Sequence, residues 1–231
     1  ECLLRLTFVA DEEMSLIPLQ PPSPEVVHRI QSVLDQGITL CGRHYVFFAF
    51  SSSQLKQASC WFISETGLVS AESLRASLGD FSSSRHSPPK LAARMGQCFS
   101  STLESLEVED RGRMLDAKLV EGATRWVEAP DIERDGYNFT DGNGSGSPIL
   151  FERLASSLAL RRVPSAVQLR LGGLKGIVAV DTRMSGNDSV LCSRPSMDKF
   201  KSDARVLEVC EVSTWRCGRL NRQLITLLST L

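Results

Sequence analysis

The chain has 231 residues, 42% of them hydrophobic, with 26 Lys and Arg against 27 Asp and Glu. That length supports one large or two small domains with a real core. The formal net charge of −1 excludes a surface that is cationic throughout, so any polyanion-binding face has to be local. No run of roughly 18 apolar residues occurs, which excludes a membrane-spanning helix.

The first residues, Cys2 to Val9, are already strand-like, and the chain opens on Glu1 rather than Met. This reads as a fragment of a larger protein. Ser23-Pro24-Glu25 starts a helix with Pro at its first position, and Val26, Val27, Ile30, Val33 and Leu34 recur at helical spacing until Gly37. Tyr45 to Phe50 and Cys60 to Ile63 are aromatic-rich strands with a turn predicted at Ser51-Ser52-Ser53. Ser70 caps a short helix closed by Gly79, and Ser82 to Pro89 is the best loop or linker candidate of the first half. Lys90 to Gln97 reads as a helix with Lys90 and Arg94 on one face.

Asp131 to Ser147 is polar and Gly-rich; an ordered turn is favoured over a linker because Ser147-Pro148 caps the apolar helix that runs from Ile149 to Leu160. Short strands are predicted at Val167–Leu171, Gly176–Val180, Val190–Ser193 and Val206–Val212, and an amphipathic helix at Arg219–Leu231. Many short strands with interposed helices suggest an α+β chain, mainly β, built as a closed barrel with helical insertions.

Cysteines at positions 2, 41, 60, 98, 192, 210 and 217 form no CxxC pair and no His/Cys metal spacing. Structural zinc and a disulfide scaffold are both disfavoured. Small buried side chains in a reducing compartment are the better reading. The Asn-x-Ser/Thr triplets at Asn138, Asn143 and Asn187 carry meaning only in a secretory protein. His28 and His44 have no Ser, Cys or Asp constellation around them in sequence and are read as structural.

Pro164 to Asp181 is the most informative stretch. It reads as two strands joined at Gly172-Gly173, with Arg170 and Lys175 on either side. Glycines there allow a tight bend or a close approach by a ligand, and two cations beside them can hold phosphate. A kinked β-corner with two solvated charges fits the same residues.

This segment resembles the cellular RNA-dependent RNA polymerases of eukaryotic RNA silencing, and others match the family in the same order. They are Gly42-Arg43-His44-Tyr45 with Phe47 to Leu55 and Cys60-Trp61-Phe62, the Lys90 to Thr102 block containing Ala93-Arg94-Met95-Gly96-Gln97, and Tyr137 to Gly144 around Asp141-Gly142. Arg194 to Phe200, Leu207-Glu208-Val209 and Leu220 to Gln223 complete the set, which covers roughly residues 40 to 228.

The resemblance implies the first of two facing double-psi β-barrels, with residues 1–135 leading into it and 136–231 forming the barrel portion. It implies that Arg170, Lys175 and Lys199 line a cleft and contact phosphates or nascent RNA, with Asp141 at the margin and Lys90 and Arg94 facing phosphate. Residues Ser145-Gly146 depart from the family pattern after the Asp-Gly turn, which puts a phosphate contact at Ser145 in doubt. Nucleotidyl transfer needs Mg²⁺ held by carboxylates. The family's Asp-x-Asp-Gly-Asp motif is absent from these 231 residues, and Asp110, Asp131 and Asp135 are spaced wrongly for it. The implied function is part of an RNA-directed RNA polymerase acting in silencing, inactive alone, within the nucleus or cytoplasm. Its partners are single-stranded RNA template, nucleoside triphosphates and the remainder of the polymerase. A non-catalytic RNA- or nucleotide-phosphate-binding module is the alternative.

Overall fold

The computed structural model describes residues 2–9, 23–67, 69–108, 123–184, 186–215, 217–218 and 221–230. Asp110, considered above as a carboxylate, lies outside them.

The first half builds a four-stranded antiparallel sheet. Strand β1 (Leu3–Thr7) is followed by helix α1 (Pro24–Gln36), then β2 (Ile38–Leu40), β3 (Arg43–Ala49), helix α2 (Ser52–Lys56) and β4 (Ser59–Ile63), in sheet order β1-β4-β3-β2. The Ser51 hydroxyl accepts from the Gln54 N–H and the Gln54 side chain accepts from the Ser51 N–H, a reciprocal cap. The serine run predicted as a simple turn is therefore the start of a one-turn helix. Helices α3 (Ala71–Leu78) and α4 (Pro88–Gln97) follow, and Phe48, Ala49, Ile63 and Ala71 form the buried core.

The Ser82–Pro89 segment is no linker. Ser82–Ser84 forms a 3₁₀ turn, Ser84 is buried, and helix α4 already begins at Pro88. Phe81 stacks on Phe200 with ring centroids 4.6 Å apart, and Asp80 pairs with Lys201. An aromatic pair and a backbone bridge fix what composition alone presented as loose.

The second half contributes β5 (Leu103–Glu107), β6 (Arg125–Glu128), a small hairpin of β7 (Glu133–Arg134) and β8 (Tyr137–Asn138), β9 (Asn143–Gly146), helix α5 (Pro148–Ser157), β10 (Ala166–Leu171), β11 (Leu174–Val180), β12 (Val190–Ser193), β13 (Val206–Val212) and helix α6 (Arg222–Ser229). Seven strands form one sheet in the order β5-β13-β10-β11-β9-β12-β6, with β9/β11 and β6/β12 parallel. A parallel bridge joins Val108, after β5, to Thr124, before β6. The two outer strands thus meet and the sheet curls. The fold is mixed α/β and mainly β, and its seven-stranded sheet takes strands from both sides of residue 135.

Leu150, Phe151 and Leu154 of α5 are fully buried against Leu169, Leu171, Leu174, Val178, Leu191 and Leu207 of the sheet. Each such side chain contributes about 1.5–3 kcal/mol by leaving water. Ser147 starts the helix: its hydroxyl accepts from the Leu150 N–H at 3.3 Å and donates to Asp188 O at 2.8 Å. The Gly-rich stretch before it includes strand β9. Gly144 has to be small because a Cβ there would lie 2.5 Å from Cys192 O. Alternation could not show this strand, because its residues are short and its neighbours close.

Candidate phosphate-binding site

Strands β10 and β11 pair in register up to the Gly172-Gly173 corner, and that register sets Arg170 directly opposite Lys175. Residues opposite one another on paired strands point to the same side, so the two cations share a face. Leu169, Leu171, Leu174 and Val178 are buried in the core. Both corner glycines have positive φ, at 48° and 87°. A Cβ on Gly173 would collide with the Phe200 carbonyl and one on Gly172 would lie 2.7 Å from Ala204 O. Glycine is thus required twice over, by the left-handed backbone and by the chain packed against it.

That packed chain brings in Lys199. Its N–H donates to Gly173 O at 3.1 Å, its ammonium donates to the Ser196 carbonyl, and Asp198 bridges to Leu174. Arg94 arrives on α4, which docks by Gly96 against the Phe50 carbonyl and by Gln97 against the corner. The Gln97 amide nitrogen donates to Gly173 O at 3.3 Å and to Leu174 O at 3.2 Å.

Lys175 is exposed but closely surrounded by like charge. Partial burial first, and then Arg170, Lys199 and Arg94, hold its ammonium below the ordinary lysine range. Lys90, one turn earlier on α4, is exposed and is not among the charges acting on Lys175. Arg170 is nine-tenths buried; its Nη1 donates to Leu169 O at 2.9 Å, while Nε has no hydrogen-bond partner. Across from it on β13 stands Glu208, whose carboxyl is pushed above the usual range by burial and then by Glu104. Among the described residues no carboxylate forms an ion pair with Arg94, Lys175 or Lys199. The cluster is a concentration of positive charge whose nearby carboxylate, Glu208, faces Arg170 and makes no ion pair with the other three cations, the chemistry that an oligoanion such as a phosphate chain satisfies.

Asp141 occupies the exposed turn before β9. Its neighbour Gly142 accepts from the Ile177 N–H at 2.9 Å, and a Cβ on Gly176 would strike the Gly142 carbonyl. The turn therefore sits against the strand that carries Lys175. Its anchor is Asp131, whose carboxylate accepts from the Ser196 N–H at 2.8 Å, the Ser196 hydroxyl at 2.6 Å and the Thr140 hydroxyl at 2.9 Å. The Ser196 hydroxyl in turn accepts from the Gly142 N–H at 3.1 Å. Gln97 and Ser196 fall inside segments that carry the family resemblance, but nothing in the sequence gives them, or Asp131, a role.

A cationic donor set does not fit Mg²⁺, and among the described residues no group of three or more His, Cys, Asp or Glu side chains could hold a metal ion. Of the free cysteines, Cys60 and Cys192 are buried as expected from composition, whereas Cys41 and Cys217 are exposed. Burial pushes the Cys98 thiol, beside the corner, up to about 11, with the Glu208 charge adding to it.

Comparison with known proteins places the chain in a family. A family profile described as RNA dependent RNA polymerase matches residues 1–231. The chain is 41% identical over 209 residues to RNA-dependent RNA polymerase 6 of Arabidopsis thaliana, covering 89% of this chain and 16% of that protein. It is 38% identical over 242 residues to the probable RNA-dependent RNA polymerase 1 of Oryza sativa subsp. japonica, covering 100% of this chain and 30% of that one. Among solved structures, the RNA dependent RNA polymerase QDE-1 from Thielavia terrestris superposes with a TM-score of 0.75 at 22% identity, covering 99% of this chain and 26% of that one. The chain thus spans between about a sixth and a third of the length of these relatives, and over that span it belongs to the RNA dependent RNA polymerase family.

Proposed function

We propose that this chain is the part of an RNA-directed RNA polymerase that grips the phosphates of RNA and nucleoside triphosphates, in the RNA silencing of a eukaryotic cell. The observation that carries the reading is the convergence of Arg170, Lys199 and Arg94 on Lys175 with no paired carboxylate. Such a cluster opposes its own charge until an anion arrives, and a polyphosphate supplies several charges at once. Asp141 stands at its margin, and Lys90 extends the cationic face along α4. The curled seven-stranded sheet is, in this proposal, the first double-psi β-barrel, residues 136–231 with β5 and β6 added from the 1–135 region. Mg²⁺, which neutralises the leaving pyrophosphate in nucleotidyl transfer, belongs to carboxylates other than those of this site, and the chain alone does not polymerise. Its partners are then single-stranded RNA template, nucleoside triphosphates and the rest of the polymerase, in the nucleus or cytoplasm.

The absence of an Asp-x-Asp-Gly-Asp motif from the 231 residues equally suits the second reading, a phosphate-binding module without catalysis. The test is binding of a labelled single-stranded oligoribonucleotide across a salt series, beside nucleotide incorporation by a polymerase containing this segment. For each contacting cation removed, the salt slope is expected to fall by about 0.7, the single-strand value. Unchanged slopes in Lys175→Ala and Lys199→Ala overturn the grip, and binding without incorporation in the complete protein favours the module.

A further inference from the structure

Gln97 is polar, uncharged and 8% exposed, and it lies where three of the four cation-bearing segments meet. It ends α4, the helix that carries Arg94 three residues earlier. Its amide nitrogen donates to the carbonyls of Gly173 and Leu174, the residues immediately before Lys175. The Gly173 carbonyl also accepts the N–H of Lys199. One oxygen therefore ties the Lys199 segment and, through Gln97, helix α4 to the same corner.

The direction of the amide is fixed by what faces it. Two consecutive carbonyls demand two N–H donors, so the NH₂ group points at the corner, and the buried Oε1 has no hydrogen-bond partner. A buried acceptor left unmade is costly. A side chain kept at this position for its volume alone has no need of an amide. Both donors are in use, and both act on the backbone that sets where Lys175 stands relative to Arg94 and Lys199. The cations repel one another, so holding them at fixed spacing needs a restraint outside the charges themselves. Neutral hydrogen bonds to the backbone supply it without cancelling the field that an anion meets.

We propose that Gln97 is the positioning residue of the phosphate grip: its amide fixes the spacing of Arg94, Lys175 and Lys199 and acts on RNA only through them. The inference rests on the grip reading above. Gln97 touches no substrate in this account, and its contribution is geometric.

The test is a double-mutant cycle in a polymerase containing this segment, read as binding of a fluorescently labelled single-stranded oligouridylate at one salt concentration, with thermal melting of each variant. Gln97→Met keeps the volume and removes both donors. It is expected to weaken binding by about tenfold in the unmodified protein and by clearly less when Lys175 is already Ala, because the cation whose backbone the amide holds directly is then gone and only the spacing of Arg94 and Lys199 remains to be lost. Equal losses in both backgrounds, or no loss in either, overturn the proposal, since a structural role lowers binding regardless of Lys175. The two readings fail separately. Lys175→Ala binding as tightly as the unmodified protein overturns the grip itself, whereas Lys175→Ala weakening binding while Gln97→Met does not overturns only the positioning role. Where Gln97→Met does not fold, Gln97→Asn, whose donors stop one methylene short of the two carbonyls, enters the same cycle with the same coupling expected and the same additivity overturning it.

Discussion

Asp131 and Ser196, 65 residues apart in sequence, are joined twice: the Ser196 N–H and hydroxyl reach the two oxygens of one carboxylate at 2.8 and 2.6 Å. Thr140 donates to the same carboxylate at 2.9 Å. The turn holding Asp141 and the turn leading into Lys199 are thereby clamped together close to both charged residues.

The clamp has a pH signature. Hydrogen bonds from Ser196, offset in part by desolvation and reinforced by Thr140 and Asn138, hold the Asp131 carboxyl below the usual aspartate range. A depressed carboxylate contributes stability that is present above its unfolded pKa and is lost as pH falls through the folded one. Asp131→Asn is expected to lower the melting temperature at neutral pH, and the difference from the unmodified chain is expected to shrink below the ordinary aspartate range. Melting curves collected from neutral to acid pH check this; a gap that stays constant removes the ionised clamp.

Lys175 carries the largest functional expectation. In a polymerase containing this segment, removing a preorganised donor aimed at developing phosphate charge costs on the order of 10²–10³ in rate. The same Lys175→Ala change alters stability by about 0.5 kcal/mol or less, because the side chain is exposed. Lys175→Arg is expected to rescue only in part, since a planar fork replaces a compact ammonium beside Gly173 and Gly176. Single-turnover incorporation beside thermal melting decides it, and a rate loss matched by unfolding returns Lys175 to a solvated corner lysine.

The lowered proton affinity of Lys175 is separately measurable. Burial and the surrounding Arg170, Lys199 and Arg94 charges favour the neutral amine, so this lysine is expected to react with an acylating reagent at a lower pH in the folded chain than in the unfolded one. Because the folded value lies below the unfolded one, the unfolded chain binds the extra proton, and stability rises with pH through that window. Arg170→Leu removes one of the repelling charges and should shift the acylation profile of Lys175 upward. Site-resolved mass spectrometry over a pH series reads both effects.

Two glycines with similar backbone angles separate strain from collision. Gly136 has φ of 78° with nothing within 4 Å of an added methyl group, whereas Gly173 has φ of 87° and a carbonyl in the way. Gly136→Ala is expected to cost about 1–2 kcal/mol, the ordinary left-handed penalty. Gly173→Ala is expected to cost clearly more and to weaken RNA binding as well, because the corner and Lys199 are forced apart. Denaturant melts of the two variants check the order.

Thiol chemistry gives a further check on the packing. Burial holds Cys60 and Cys98 up to about 11, and only the thiolate is a nucleophile. Cys41 and Cys217 are exposed and are expected to label first with a thiol reagent near neutral pH, with Cys60 and Cys98 reacting only on denaturation.

Local chemistry in the sequence determined much of the outcome. Proline and serine caps predicted α1, α3 and α5 close to their observed limits, because a cap is a contact between residues three apart. The paired strands around Gly172-Gly173 were legible for the same reason: hairpin register follows from the turn, so Arg170 and Lys175 had to share a face. Tertiary structure decided what no window of sequence contains. Strand β9 consists of Asn, Gly and Ser and exists because β11 and β12 lie on either side of it. The Ser82–Pro89 stretch looks like a linker until Phe200 stacks on Phe81. Above all, Arg94, Lys175 and Lys199 come together through Gly173 O, Gln97 and the Asp131–Ser196 clamp, hydrogen bonds spanning tens of residues. A short-range pattern names the cations; only the folded backbone can set the distance between charges that repel.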